Sequence, residues 1–162
     1  MQKTLRLPVI AAALLAGTTL AVRANQAGDA DLQFQLGSLL FEETRYREAL
    51  DAFDRALRTD DASLAMRARK GKVRSALRLA EFATARAEAE TLRTAAPRDA
   101  GALALYGDAL WAFGLFDAAD QAYLDAIGLQ PESSRAQFGR ARTLAATNHL
   151  DEALDTALAA SS

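Results

Sequence analysis

Few residues of this chain are of a type and spacing that could do covalent chemistry. His149, in the stretch TNHLDEA, is the only histidine, and there is no cysteine. A nucleophile, base and orienting group would all depend on that one histidine, whose polar surroundings suit an ordinary turn residue. Histidine and cysteine together supply too few donors for a metal site. The Gly-Lys pair in ARKGKVRS fails as a phosphate loop, because Met66 stands where the first glycine is needed. Asp108, Asp117, Asp120, Asp125 and Glu132 read as carboxylates that keep a helical surface solvated. The expectation is a chain that is not an enzyme, with no catalytic residue, no metal and no cofactor.

A different chemistry is better represented. Arg67, Lys70, Arg74 and Arg78 recur at steps of three and four, and at about 100° per residue such steps put four cations on one helical face. The net charge of −2 hides this concentration. Residues 30–63 hold four basic and eight acidic side chains, 66–99 nine and four, 100–133 none and five, and 134–162 three of each. A basic row suits an acidic or C-terminal carboxylate peptide, since the guanidinium fork matches a carboxylate. Nucleic acid is not expected, because only one segment of four is strongly basic and the chain opens with an export signal.

That signal is the order of Lys3 and Arg6, an apolar run from Leu7 to Val22, and the small residue Ala24. The run is short for a spanning helix, which needs about 20 apolar residues. Residues 1–24 are therefore expected to be a signal peptide and 25–29 a short linker. The mature chain is expected in the periplasm or secreted, without stable membrane insertion after cleavage; an uncleaved N-terminal anchor is the rival. With no cysteine after the run, bacterial lipid attachment is excluded.

The elements that carry the basic row come from a repeating pattern. Phe116, Ala119, Tyr123 and Ala126 lie on one helical face and Pro131 follows. Phe82, Ala85, Ala89, Leu92 and Pro97 stand 34 residues earlier, Tyr46, Ala49, Phe53, Ala56 and Asp61 a further 36, and Leu150, Ala153, Ala157 and Ala160 stand 34 later. A second helix precedes each of these. Its packed face is expected at Leu36, Gly37 and Leu40 in the first unit, and at Leu103, Tyr106, Gly107, Leu110 and Phe113 in the third. The fourth supplies Phe138, Ala141 and Leu144. In the second unit, a register on Gly71 would bring Arg67, Lys70 and Arg74 to the packed face, which burial disfavours for unpaired charges. A register on Phe82 packs Val73, Ala76 and Leu79, with Arg69 and Lys72 snorkelling at the margin.

A period of 34, a Leu-Gly or Tyr-Gly pair, an aromatic residue about nine later, an alanine three after that and a closing proline resembles the tetratricopeptide repeat. The resemblance covers about residues 30–162 and implies an all-α fold, a right-handed α-solenoid of about four helical hairpins. The units are placed at 30–63, 66–99, 100–133 and 134–162, the last incomplete, with Leu64 and Ala65 as an extra pair in the first connection. Arrays that resemble this one hold a protein or peptide partner in a concave groove lined by the first helix of each hairpin. Taken by angle, the groove face is Phe34, Ser38 and Phe41, then Arg67, Lys70, Arg74 and Arg78, then Asp108 and Trp111, then Arg135, Phe138 and Arg142. Phe41 and Trp111 are the candidate anchors.

Two departures from the family pattern matter. Lys70 and Arg135 match basic members of the clamp that some cytosolic relatives use for a chaperone's C-terminal carboxylate, but Arg74 and Leu105 replace its asparagines. In the fourth unit, Arg140 stands where Leu36 and Tyr106 do elsewhere, and no following helix covers Leu144, Leu150, Ala153 and Ala157. An uncapped end implies self-association through the last hairpin, or a longer protein. The expected function is a non-enzymatic protein- or peptide-binding scaffold of the bacterial cell envelope. The alternatives are the N-terminal recruiting module of a longer extracytoplasmic enzyme, such as a peptidase, or a subunit of an envelope or pilus assembly machine.

Overall fold

The computed structural model describes residues 28–160. The expected signal peptide, the start of the linker and the final two serines lie outside the described residues. Eight helices make up the regular structure there. They are α1 (28–42), α2 (Tyr46–Ala56), α3 (Ala62–Arg78), α4 (Phe82–Ala95), α5 (Ala100–Ala112), α6 (Phe116–Leu129), α7 (Ser134–Ala146) and α8 (Leu150–Ala159). From α2 to α8 helices adjacent in sequence pack on one another, α5 also lies beside α3 and α7, and Leu40 of α1 shares a buried cluster with Ala49, Ala52 and Phe53 of α2. This is the layered hairpin stack of an α-solenoid.

All four first helices stop in the same way. The residue after the last turn has positive φ, at 62° for Thr44, 59° for Ala80, 84° for Gly114 and 65° for Asn148. The next residue donates its N–H back into the helix, Arg45 to Leu40, Glu81 to Ala76, Leu115 to Leu110 and His149 to Leu144. That is the Schellman termination, in which a left-handed residue satisfies the last carbonyls. Only Gly114 adopts it without a Cβ penalty. The four turns keep one geometry despite three non-glycine residues, so the hairpin packing is dictating the backbone here.

The second connection differs from expectation. Leu64 and Ala65 are not in a loop; they belong to α3, which has 17 residues where α5 and α7 have 13. Asp61 caps the lengthened helix by accepting from the Ser63 and Leu64 N–H groups at 2.8 and 3.2 Å. Leu64 is buried, and this apolar contact favours the extra turn.

The second-helix pattern holds closely, since Ala49, Phe53, Ala56, Ala85, Ala89, Leu92, Ala119, Tyr123, Ala126 and Ala153 are all buried. On the first helices Gly37, Leu40, Val73, Ala76, Leu103, Gly107, Leu110, Ala141 and Leu144 are buried as expected. Leu36, Phe113 and Phe138 are corrections, because each is exposed, and Leu79 is only half-buried. Gly71 is buried after all, yet Arg67 and Arg74 stay exposed and Lys70 half-buried. Its lack of a side chain lets a neighbouring ring fill the space, so the helix need not rotate its cations inward.

That ring belongs to Phe53. A Cβ on Gly37 would stand 2.9 Å from it and one on Gly71 2.5 Å, so both glycines are needed for the ring to lie between α1 and α3. Tyr123 occupies the matching place in α6, where a Cβ on Gly107 would come within 2.6 Å of the ring and one on Gly139 would also overlap it. In α4 the residue at this place is Ala89, and the flanking positions become Val73 and Leu105, in the same buried cluster. Large flanked by two small alternates with small flanked by two large, which keeps the interhelical volume filled.

Adding one methyl group at two glycines tests this account. Gly139→Ala should lower stability by about 1–3 kcal/mol through overlap with the Tyr123 ring. Gly128 in α6 has nothing within 4 Å of a built Cβ, so Gly128→Ala should be neutral or stabilise by up to about 1 kcal/mol through helix propensity. Thermal melts that shift both variants equally would contradict the packing.

Candidate functional site

The first helices place their non-packed faces on one side of the stack, and a cavity of about 420 Å3 opens there. Phe41 of α1, Arg74, Leu77 and Arg78 of α3, Phe82 of α4, Asp108, Trp111 and Ala112 of α5, and Arg135 and Arg142 of α7 line it. Seven of the twelve residues expected along the groove thus meet around one space. Phe138 borders an adjoining cavity with Asp108, Arg135 and Arg142, so of its two expected faces it takes the groove. The others lie along the same helices without reaching this space.

Asp108 organises the α5–α7 end. It accepts from the Tyr123 hydroxyl at 2.7 Å, from Arg135 at 2.6 Å and from Arg142 at 3.3 Å. Arg142 also donates to the Tyr123 hydroxyl at 3.2 Å and stacks over Trp111, 3.8 Å from the ring centre. Trp111 packs in turn against Phe116, with ring centres 6.0 Å apart. Its indole nitrogen is shielded from solvent and has no acceptor among the described residues. Burial first, then the Asp108 charge, push the Tyr123 hydroxyl well above the usual tyrosine range, so it remains a hydrogen-bond donor at any physiological pH.

The α1–α3 end is less neutralised. Arg74 lies over Phe41 at 4.4 Å and Arg78 near Tyr46 at 5.9 Å. Neither makes an ion pair among the described residues. Burial, and then repulsion from Arg135 and Arg78, hold the Arg74 guanidinium below the ordinary arginine value. This cation is crowded by cations, which is the situation an incoming anion relieves.

Lys70 and Arg67 are not equivalent to Arg74. Lys70 bonds the Asp99 carboxylate at 2.7 Å, and Asp99 also accepts from the Ala102 N–H at 2.9 Å as the cap of α5. Arg67 stands 4.0 Å from Asp31 and covers the Phe34 ring at 4.6 Å. Ser38 donates to the Phe34 carbonyl within its own helix. The basic row is therefore half paired and half open. Ala104, one turn before Asp108 on α5, is buried in the α5–α6 core.

Phe82 is the lining residue that periodicity misassigned. It opens the packed face of α4, but its first-turn place leaves it exposed at the cavity edge. The Tyr123 hydroxyl was also missed, although unit one carries a phenylalanine at the same place; the extra oxygen together with Asp108 15 residues earlier was the available signal. Arg140 proves ordinary, because it bonds Asp120 at 3.1 Å at a half-exposed position. A larger cleft of about 710 Å3, on the other side of α5 around Leu103, Tyr106 and Leu110, shares no residue with the groove. No metal-holding cluster of acidic, histidine or cysteine residues occurs among the described residues, and no helix there is long and apolar enough to cross a membrane.

The sequence profile of the tetratricopeptide repeat matches residues 34–79, 70–127 and 107–161. No curated protein matches the sequence. Among solved structures, the thermophilic tetratricopeptide protein TTC0263 of Thermus thermophilus aligns with a TM-score of 0.74 at 23% identity, over 81% of this chain and 72% of that one. MamA of Desulfovibrio magneticus RS-1, from residue 41 to its end, aligns with a TM-score of 0.69 at 23% identity, over 79% and 71%. Another MamA crystal structure gives 0.69 at 18% identity, over 88% and 81%. At such identities the likeness shows the fold alone.

The Asp99–Lys70 pair has a pH consequence. Burial opposes ionisation of Asp99, but the Lys70 and Ala102 hydrogen bonds outweigh it and hold the carboxyl below its ordinary 3.8. A lowered folded-state value stabilises the fold above the unfolded value, and this is lost as the pH falls through the folded one. Thermal melts from about pH 5 to about pH 3 should therefore show a shallower acid decline for Asp99→Asn than for the wild type. An identical decline would mean that the pair contributes nothing.

Proposed function

Because the chain belongs to the tetratricopeptide repeat family, whose arrays are generally non-enzymatic scaffolds for protein–protein interaction, we propose that it binds an acidic peptide segment of a protein partner in the groove along α1, α3, α5 and α7. One observation carries this reading: four arginines line the cavity against one carboxylate, Asp108. Asp108 is already shared by Arg135 and Arg142, so Arg74 and Arg78 are the cations with capacity to spare. A side-chain carboxylate or a chain terminus offers the two oxygens that a guanidinium fork accepts. Phe41, Leu77, Phe82 and Trp111 give an apolar floor beside the charge, the combination that anchors a peptide side chain.

Trp111 is the only tryptophan, so its fluorescence reports on the groove. Short synthetic peptides rich in Asp and Glu should shift its emission, and the response should weaken as salt shortens the Debye length from about 30 Å at 0.01 M to about 8 Å at 0.15 M. A free against an amidated C-terminus separates terminal from side-chain recognition. Arg74→Glu with Arg78→Glu should weaken binding at least about tenfold, or ~1.4 kcal/mol, with an unchanged melt. Lys70 is left intact because its charge holds Asp99. Equal responses to acidic and basic peptides would overturn the reading.

We place the partner, on the same footing, in the bacterial cell envelope. Support for this comes from Lys3, Arg6, the apolar run from Leu7 to Val22 and the small residue Ala24. Mature protein recovered from a periplasmic extract should begin at Asn25 or within a few residues of it by N-terminal sequencing. Recovery from the cytoplasm with Met1 intact would remove the envelope assignment.

A further inference from the structure

Among the described residues, two stripes of leucine are exposed, one on α1 and one on α8. On α1, Leu32, Leu36 and Leu39 are 61%, 40% and 54% exposed, and on α8, Leu150 and Leu154 are each 61% exposed. Both stripes can be followed through the repeat, because the first helices align by their last residues and the second helices by their first.

Leu32 corresponds to Ala68, Ala102 and Ala136, and Leu39 to Ser75, Ala109 and Thr143; all six are buried. Ala102 and Ala109 share a cluster with Ala85, Ala89 and Leu92 of α4, and Ala136 shares one with Ala122 and Tyr123 of α6. Leu36 corresponds to Lys72, Tyr106 and Arg140. Lys72 bonds Asp54 of α2 at 2.5 Å, Tyr106 underlies Arg93 of α4 at 5.2 Å, and Arg140 bonds Asp120 of α6. The α1 stripe is thus the face that every later first helix turns toward the preceding second helix.

Leu154 of the α8 stripe belongs to the other half of that junction, whereas Leu150 corresponds to Phe82, which lines the groove. Leu154 corresponds to Leu50, Arg86 and Asp120. Leu50 of α2 packs against the cluster that contains Val73 of α3, Arg86 of α4 stacks at 4.3 Å on Phe113, the C-terminal cap residue of α5, and Asp120 of α6 pairs with Arg140 of α7. The volumes also agree, since Ala89 faces Leu105 across one internal junction and the corresponding pair at the two ends is Ala157 and Gln35. Exposed leucines on both halves of one repeated interface call for an occupant of that same kind.

We infer that α8 of one copy packs on α1 of a second copy, head to tail, in the register of the α2–α3, α4–α5 and α6–α7 junctions. This does not depend on what the groove binds. The two patches differ, so the contact is heterologous and each added copy leaves a free end, giving open chains unless the rotation closes a ring.

Sedimentation of the 162-residue chain tests the inference. The wild type should gain mass continuously with concentration. Leu36→Glu and Leu154→Glu should each sediment as monomers with wild-type circular dichroism and melting; Leu32→Glu replaces the first if its melting falls. An equimolar mixture of an α1 and an α8 variant keeps one intact pair of faces and should stop at dimers. The double variant Leu36→Arg with Leu154→Asp rebuilds the Arg140–Asp120 pair between copies, and should assemble again in a salt-sensitive way. A wild type that stays monomeric at every concentration overturns the inference, its α1 face being covered by the chain's own N-terminal residues or left bare. Assembly unaffected by the α1 substitutions, which signals an α8–α8 dimer, or a mixture that stays monomeric, overturns it equally.

Discussion

Every hairpin junction depends on how much volume three facing positions share. One comes from a second helix and two from the first helices on either side. Phe53 needs Gly37 and Gly71, Tyr123 needs Gly107 and Gly139, and Ala89 requires the larger Val73 and Leu105. Interiors pack at nearly crystalline density, so a mismatch of even a methyl group is felt. Because each first helix serves two junctions, a change at one place propagates. Gly71 fits the ring of α2 while Val73, two residues on and turned toward α4, fits its alanine. The spacing of the first helices, and with it the width of the groove, follows from this matching.

Charge is laid out on the same frame. At the position of Leu36, Lys72, Tyr106 and Arg140, the cations reach across to neighbouring second helices: Lys72 bonds both Asp54 and Glu88, and Arg140 bonds Asp120. These partly exposed pairs specify register more than they add stability. On the groove side the carboxylates are fewer. Asp99 takes Lys70 and Asp108 takes Arg135 and Arg142, which leaves the Arg74–Arg78 corner with positive potential and aromatic support from Phe41 and Tyr46. A strongly basic unit in a nearly neutral chain thus becomes a local feature of one corner.

The hairpins were legible because period and small-residue spacing survive at every unit; the second helices begin at Tyr46, Phe82, Phe116 and Leu150, where the pattern starts. Less legible were residues at the margin of a face. Leu36 and Phe113 lie within the angular range of the packed stripe but are exposed, because burial at those angles depends on a neighbour whose reach the sequence does not encode. The extra turn of α3 was hidden for a similar reason, since Leu64 joins the core only once a helix carries it there. In the groove, the angular reading found the correct side of each helix, but it could not divide paired from open cations. Lys70 and Arg74 are four residues apart on one face, and only the position of the α5 cap, Asp99, distinguishes them.

The groove and the end faces use different sides of the same helices. Arg74, Trp111 and Arg142 look into the groove, while Ala68, Ala109 and Thr143 are buried at the junctions between hairpins. On α1 the same division separates Phe41, beneath Arg74, from the leucines at 32, 36 and 39. A ligand in the groove and a neighbouring copy at either end would therefore not compete for residues. Head-to-tail stacking would bring successive grooves into one continuous lining and repeat the Arg74–Arg78 corner once per copy. Repetition converts a weak single contact into avidity for any partner that presents several acidic segments within reach. A groove whose unpaired cations are Arg74 and Arg78 suits that mode better than tight one-to-one capture, so the exposed leucine stripes and the half-paired basic row have a common physical logic.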